Sequence, residues 1–358
     1  MAHSRGNRRA FLKVGSAALL GSAIAPGAAR AAAGDADNAA PEAGNILNRN
    51  ERMTYRRLGK TGYMISEVAL GGHGGQSVDD RVPVLEKAVE LGINYVDNNI
   101  AEECDLYGAA MARSRTAPRD RWFIGFASWP EKITPDFEDQ LTPDGMMRNI
   151  EARLKSYRTD VLDLWRPVGA TWGEGQNRLG TLLPVHDKAL NMVVEVFDKA
   201  RRQGKVRHLG VSAHNPQVFR NVLEKYPQFE VIIFPYLFLT KELGGDSLLK
   251  LAQDKNVGVI GLKPFGAGTT FGIKPREIQG HIDRRAHVLV REMLQESRLS
   301  AIIPGVNTPE QLEENVRGSY EKAEPPTPDD RKALDECRRN YFAHLTPEYR
   351  WLHHWHYV

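Results

Sequence analysis

Six ionisable side chains lie at or just after the ends of short apolar runs: His73, Asp97, Glu102, Glu103, Arg166 and His214. Imidazoles and carboxylates exchange protons, and a guanidinium holds anions. Together these types suit an acid/base pair, a carboxylate-binding site or a metal centre. A second pattern is Leu262-Lys263-Pro264-Phe265-Gly266-Ala267-Gly268. Its small residues let backbone N–H groups approach a pyrophosphate, and Lys263 adds charge.

Such groups act together only if their elements share one end of a scaffold. Short apolar runs fall at 67–70, 95–97, 122–126, 161–164, 207–211, 231–234, 257–262 and 301–303. They are continuous rather than alternating, as in parallel strands buried on both faces. Amphipathic stretches separate them, at 82–91, 146–157, 190–203, 216–225 and 309–317. Pro216 and Pro309 follow Asn215 and Thr308, a helix-start pattern of cap and first-turn proline. Eight β-α alternations predict an α/β fold, an (α/β)8 TIM barrel, with its chemistry at the C-terminal strand ends. Ahead of it, Lys60-Thr61-Gly62 predicts a short hairpin over the barrel bottom. A last helix at 328–340 and a His- and aromatic-rich tail follow.

The chain has 358 residues and a formal net charge of +3. The first 31 residues carry five of the 48 basic residues and none of the 45 acids, so the remainder is near −2. The basic excess is therefore no nucleic-acid surface. The same stretch has Arg8-Arg9-Ala10-Phe11-Leu12-Lys13, a mild apolar run, then Ala29-Arg30-Ala31. Basic region, apolar region and cleavage site in this order predict a twin-arginine export signal over 1–31, read by the twin-arginine export machinery. The expected divisions are this signal, a linker at 32–52, the barrel at 53–320 and a C-terminal extension closing it at 321–358. The expected location is periplasmic or extracellular. No run is long and apolar enough to predict a membrane span. The two cysteines, Cys104 and Cys337, cannot form a disulfide framework.

Four motifs, in order, resemble the aldo-keto reductases. They are Tyr55-Arg56-Arg57-Leu58-Gly59-Lys60-Thr61-Gly62 with Ile65-Ser66-Glu67-Val68-Ala69-Leu70-Gly71-Gly72; Gly92-Ile93-Asn94-Tyr95-Val96-Asp97; Gly204 to Ser212; and Ile303-Pro304-Gly305 with Glu310 to Asn315. The resemblance implies carbonyl reduction with a nicotinamide cofactor. It also implies an Asp, a Tyr, a Lys and a His around the reacting oxygen. Only Asp97 matches. Glu102 stands where the Tyr is expected, and Tyr107 fits the following helix better. The third strand leads to Ala127 and Ser128 rather than Lys, and the fourth to Val168 rather than His. Without that Lys, no neighbouring ammonium depresses a phenol pKa.

The expected acid/base set is therefore Asp97, Glu102, His73, Arg166 and His214. Glu102 or a histidine would shuttle the proton, and Arg166 would hold an anionic or polyhydroxylated small molecule. The resemblance assigns cofactor binding to Ser212, Lys263, Pro264, Gly266, Gly268, Gly305, Glu314 and Asn315. Phe234 or Tyr236 is the expected ring against nicotinamide. Members using NADP place cations where this chain has Gly305 and Gln311, so NAD(H) is expected over NADP(H). The cofactor is expected to travel bound to an exported protein. In the tail, His353 and His356 allow a metal site, but a pocket wall is the favoured reading. A lyase or isomerase on the same barrel, metal-assisted or not, and a metabolite-binding protein are the alternatives.

Overall fold

The computed structural model describes residues 46–72, 76–128, 142–169, 187–242, 247–273 and 282–358. The predicted export signal and His73 lie outside them. An antiparallel hairpin opens the fold, with β1 (Tyr55–Arg57) paired to β2 (Met64–Ser66). Gly62 turns between them at φ 78, a conformation that favours glycine. Seven parallel strands follow in sequence order: β3 (Tyr95–Asn98), β4 (Phe123–Ser128), β5 (Leu162–Gly169), β6 (Val206–Ala213), β7 (Val231–Pro235), β8 (Gly258–Leu262) and β9 (Ala301–Ile303). Residues 68–71 bridge both edges, Val68 to Ile302 and Leu70 to Val96. That segment is the eighth stave, and it closes the barrel.

Helices clothe the barrel: α1 (Val78–Glu90), α2 (Ala101–Arg113), α3 (Pro143–Tyr157), α4 (Asp187–Arg202), α5 (Pro216–Lys225), α6 (Leu248–Asp254), α7 (Ala286–Met293), α8 (Pro309–Tyr320) and α9 (Pro328–His344). Their starts follow local chemistry. Ser77 and Thr327 form capping boxes, and Thr142, Asn215 and Thr308 each accept a backbone N–H in front of a proline.

Inside the barrel the lower layers are apolar. Ala69, Tyr95, Phe123, Leu164, Ile233 and Ile260 form one cluster, plugged from below by Leu58 and Ile65 of the hairpin segment. Glu67 is fully buried at the bottom, where it pairs with Arg56 at 2.9 Å and Lys322 at 2.6 Å and accepts from Ser319 Oγ at 2.6 Å, which ties the hairpin to the end of α8.

Residues 46–52 differ from the slack linker expected there. Asn48 is buried, and its amide donates to the carbonyls of Ile93 (2.7 Å) and Arg121 (3.0 Å). Open backbone acceptors beside the strand starts give this polar stretch something to bind.

Gly108 sets how closely α2 meets α3. A Cβ there would lie 1.8 Å from the Ser156 carbonyl oxygen, which is backbone and cannot swing away. Gly108→Ala should therefore cost about 2–3 kcal/mol of stability, read as a lower urea midpoint at unchanged slope.

Candidate active site

The top layer of the barrel interior is polar. Along β3, Tyr95 and Asp97 face inward, and along β5, Leu164 and Arg166 do, because alternate residues share a face. Arg166 is 3% exposed and Asp97 6%. They form a two-point ion pair, with Arg166 Nε donating to Asp97 Oδ2 at 3.1 Å and Nη2 donating to Oδ1. Arg166 Nη1 donates to Ser212 Oγ at 2.8 Å, and Nη2 also reaches the Asn98 carbonyl at 3.4 Å. Tyr95 donates its hydroxyl to Asp97 Oδ2 at 2.6 Å. Burial lowers the Arg166 pKa, but the Asp97 carboxylate outweighs it and holds the guanidinium above its ordinary value. Burial pushes the Tyr95 phenol well up, and Asp97 adds to that.

Strand β4 makes room for this pair. Gly125 on β4 lies beside Asp97, and a Cβ there would come within 2.5 Å of the Tyr95 hydroxyl and 2.6 Å of Asp97 Oδ2. The cation beside Asp97 thus comes from β5, one strand later than the resemblance implies. The alternation from Leu164 to Arg166 carried this signal in the sequence. Arg166 is also occupied by Asp97, Ser212 and Asn98, which leaves little of it for an anionic substrate.

Glu102 is exposed on the first turn of α2, so it is not a group inside the mouth. Its neighbour Glu103 is buried, and its Oε2 accepts the Asn99 N–H at 2.7 Å. One helical residue is about 100° of rotation, enough to exchange the two. Tyr107 lies in the helical layer. Its hydroxyl accepts from Arg81 at 3.0 Å, and burial pushes its phenol up to about 12. Cys104 is buried too, with its thiol pushed up to about 12.

His214 follows β6 and is buried against the tail. Its ring stacks on Trp351 at 3.6 Å between centroids and 12° between planes. Trp355 donates its indole N–H to the His214 carbonyl at 3.1 Å and stacks on Phe234 at 5.0 Å. Phe234 therefore belongs to the outer apolar layer, and Tyr236 packs against the outer side of Gly261. The aromatic wall at the mouth is Trp351 with Tyr349. The tail is pinned by backbone bonds from Lys241 N–H to the His356 carbonyl (2.8 Å) and from Val358 N–H to the Lys241 carbonyl (2.9 Å). His356 meets the Tyr341 hydroxyl at 3.2 Å. No group of three potential metal ligands occurs among the described residues.

After β8 the backbone turns left-handed at Lys263 (φ 53) and again through Gly266, Ala267 and Gly268 (φ 53, 56 and 93). A non-glycine residue in this region costs on the order of 1 kcal/mol, and such strain gathers at functional sites. Pro264 is buried within this loop. One side of the loop is covered by Tyr341 of α9, whose Cε2 would be 3.1 Å from a Cβ at Gly266. Lys263 keeps part of its surface open, but the protein around it strips water from the ammonium. Burial pulls it down to about 8, against the upward pull of Glu103. Its Nζ is 5.9 Å from the Tyr349 ring. Gly305 opens onto space, since a Cβ there would touch nothing within 4 Å. On α8, Asn315 is buried, and Glu314 is held by His287 Nδ1 at 2.6 Å. A left-handed cradle, an open side at Gly305 and fixed polar groups on α8 fit a dinucleotide.

The aldo/keto reductase family model matches residues 67–289, more than half of the chain. An uncharacterized oxidoreductase, YqkF, of Bacillus subtilis is 24% identical over 230 residues, which is 60% of this chain and 66%, just under two thirds, of that relative. An L-galactose dehydrogenase of Arabidopsis thaliana is 22% identical over 299 residues, 74% of this chain and 88% of the relative. In three dimensions, the holo form of the aldo-keto reductase AKR11C1 from Bacillus halodurans superposes with a TM-score of 0.60 at 18% identity. That likeness covers 80% of this chain and 96% of the other, and it shows the barrel fold. The match over residues 67–289, with the closed parallel barrel and its hairpin, makes this chain a member of the aldo/keto reductase family.

Proposed function

We propose that this protein is an exported, NAD(H)-dependent oxidoreductase that interconverts a hydroxyl and a carbonyl group on a small molecule. Its acid/base set departs from that of its family. The observation that carries this reading is the Arg166–Asp97 pair inside the barrel mouth. In the family pattern an Asp holds a cation beside the reacting oxygen. Here Asp97 holds a guanidinium, which is charged at every working pH. Four of its five N–H donors go to Asp97, Ser212 and Asn98. The fifth, on Nη1, is the donor for a substrate oxygen, where it stabilises the negative charge that develops as hydride arrives. His214, fixed by its stack on Trp351, and the tail ring of Tyr349 form the substrate wall. A bound nicotinamide nucleotide supplies the hydride chemistry. Lys263, Pro264, Gly266 and Gly268 would hold its pyrophosphate, with Gly305, Glu314 and Asn315 toward the adenosine and Ser212 toward the carboxamide. A polyhydroxylated substrate is consistent with the sugar dehydrogenase among the relatives.

The twin-arginine pattern supports delivery of a folded protein, which can carry its nucleotide with it. Protein purified from the exported fraction should begin at Ala32 and yield NAD(H) on mass spectrometry. Bound metal without nucleotide would point instead to the lyase or isomerase reading.

Cofactor preference is testable by design. Gly305 offers no cation to a 2′-phosphate, and its open side admits a long side chain. Wild type should bind NADH more tightly than NADPH. Gly305→Lys should raise NADPH affinity about tenfold, the worth of one charge-assisted hydrogen bond, with little change for NADH. Tighter NADPH binding by wild type would reverse the assignment.

A further inference from the structure

We infer that Arg81 is a buried counter-charge for the phosphates of the bound nucleotide. It is a positioning residue, since it touches no ligand and acts through its field. The inference rests on the hydride-transfer reading above and deepens its cofactor half.

Arg81 lies in the first turn of α1 and is fully buried. Its Nη1 donates to the Tyr107 hydroxyl at 3.0 Å and to the Val306 carbonyl at 2.9 Å, and its Nη2 donates to Gln76 Oε1. The guanidinium also lies over the Tyr107 ring, 4.7 Å from its centroid. All of these partners are neutral, and Nε has no partner among the described residues. Among those residues no carboxylate pairs with Arg81. Asp79 and Asp80 share its turn, but both are exposed and engaged with Arg113 and Ser77. Arg166 and Arg291, also buried, each pair with an acid, as buried charges do. The start of a helix is moreover its positive end, where a cation is least favoured. A guanidinium keeps its charge even there. The chain alone thus leaves this charge uncompensated, and an anion nearby relieves it.

The surroundings of Arg81 identify that anion. The guanidinium is wedged between the end of the 68–71 stave and the loop after β9. A Cβ at Gly72 would come 3.3 Å from Nη2 and 3.0 Å from the Val306 carbonyl oxygen, so glycine there lets the guanidinium lie against the backbone. Gly71 bridges to Gly305, and the Val306 N–H donates to the Gly71 carbonyl at 3.3 Å. Gln76 holds the same loop by donating to the Asn307 carbonyl at 2.5 Å. The charge therefore sits beside Val306, the residue after Gly305, at the open edge of the cofactor cradle. The other wall of that cradle, the loop after β8, belongs to the neighbouring strand, about 4.8 Å over. Acting on an anion roughly 10 Å away at an effective dielectric of about 20, one buried charge is worth on the order of tenfold in affinity.

The test is ligand binding by the full mature protein, freed of nucleotide and shown to be folded by urea unfolding. Arg81→Met removes the charge, and Arg81→Lys keeps the charge but loses the fork. NADH should bind about tenfold more weakly to Arg81→Met. Arg81→Lys should recover most of that loss. Adenosine carries no phosphate, so its loss in Arg81→Met, followed by ligand-observed NMR, should be about fivefold smaller than that of NADH. An apolar side chain in place of a buried charge often costs no stability, so Arg81→Met should fold. Arg81→Gln is the second neutral variant and should show the same loss of NADH affinity. Equal losses in the neutral variants and Arg81→Lys would overturn the inference. So would an adenosine loss as large as that of NADH, which would make Arg81 a brace for the loop after β9 and nothing more. NADH binding that ignores every Arg81 variant would overturn this inference alone. Wild type that binds neither NADH nor NADPH would overturn the parent reading and this one with it.

Discussion

Arg166→Met should destabilise the folded barrel by about 3–5 kcal/mol, the usual consequence of removing one partner from a buried ion pair. The guanidinium is 3% exposed and satisfies Asp97 at two points, Ser212 and the Asn98 carbonyl. Without it the Asp97 carboxylate keeps the Tyr95 hydroxyl and loses both cationic donors. Water cannot replace them readily, because the layer beneath is the apolar barrel interior. The double variant Asp97→Leu, Arg166→Met removes both charges and should recover most of the loss. Urea unfolding of the two single variants and the double variant gives the coupling. A double variant that loses the sum of the two single losses would mean that each side chain packs without regard to the other. Arg166→Lys should retain part of the stability, since an ammonium can meet Asp97 but cannot also reproduce the fork to Ser212.

Trp355→Ala is expected to be of similar size, about 3–5 kcal/mol. The indole is fully buried, packs on Phe234 and Phe219, and donates to the His214 carbonyl. Its loss leaves a cavity between α5, β7 and the tail. It also frees the tail, which is otherwise held here by backbone bonds to Lys241. Trp351 would then leave the His214 ring. Hydrogen exchange over residues 347–358 should accelerate together with the fall in the urea midpoint. A fall in stability with unchanged exchange in the tail would assign Trp355 to the core alone.

The architecture was largely legible in the sequence because its signals are local. Each strand is a short apolar run, and Pro216, Pro309 and Pro328 mark three helix starts at the residue where they occur. The site was less legible because it depends on rotation and register. Glu102 and Glu103 are adjacent letters, yet one faces water and the other is buried. Arg166 could have been placed inward from Leu164 by strand alternation, but its partner required knowing that Gly125 leaves space beside Asp97. Lys263 escapes the alternation rule altogether, because a left-handed residue ends it. Phe234 looked like a ring for the nicotinamide. Its strand position turns it outward, where it packs on Trp355 of the tail.

The proposed hydride transfer requires that this barrel bind the nucleotide. Titration of NADH into the purified mature protein, followed by nicotinamide fluorescence, tests that most directly. Saturable binding of one nucleotide per chain, with a micromolar or lower dissociation constant, is the expected result. No saturable binding of NADH or NADPH at millimolar concentration, by protein shown to be folded and nucleotide-free, would contradict it.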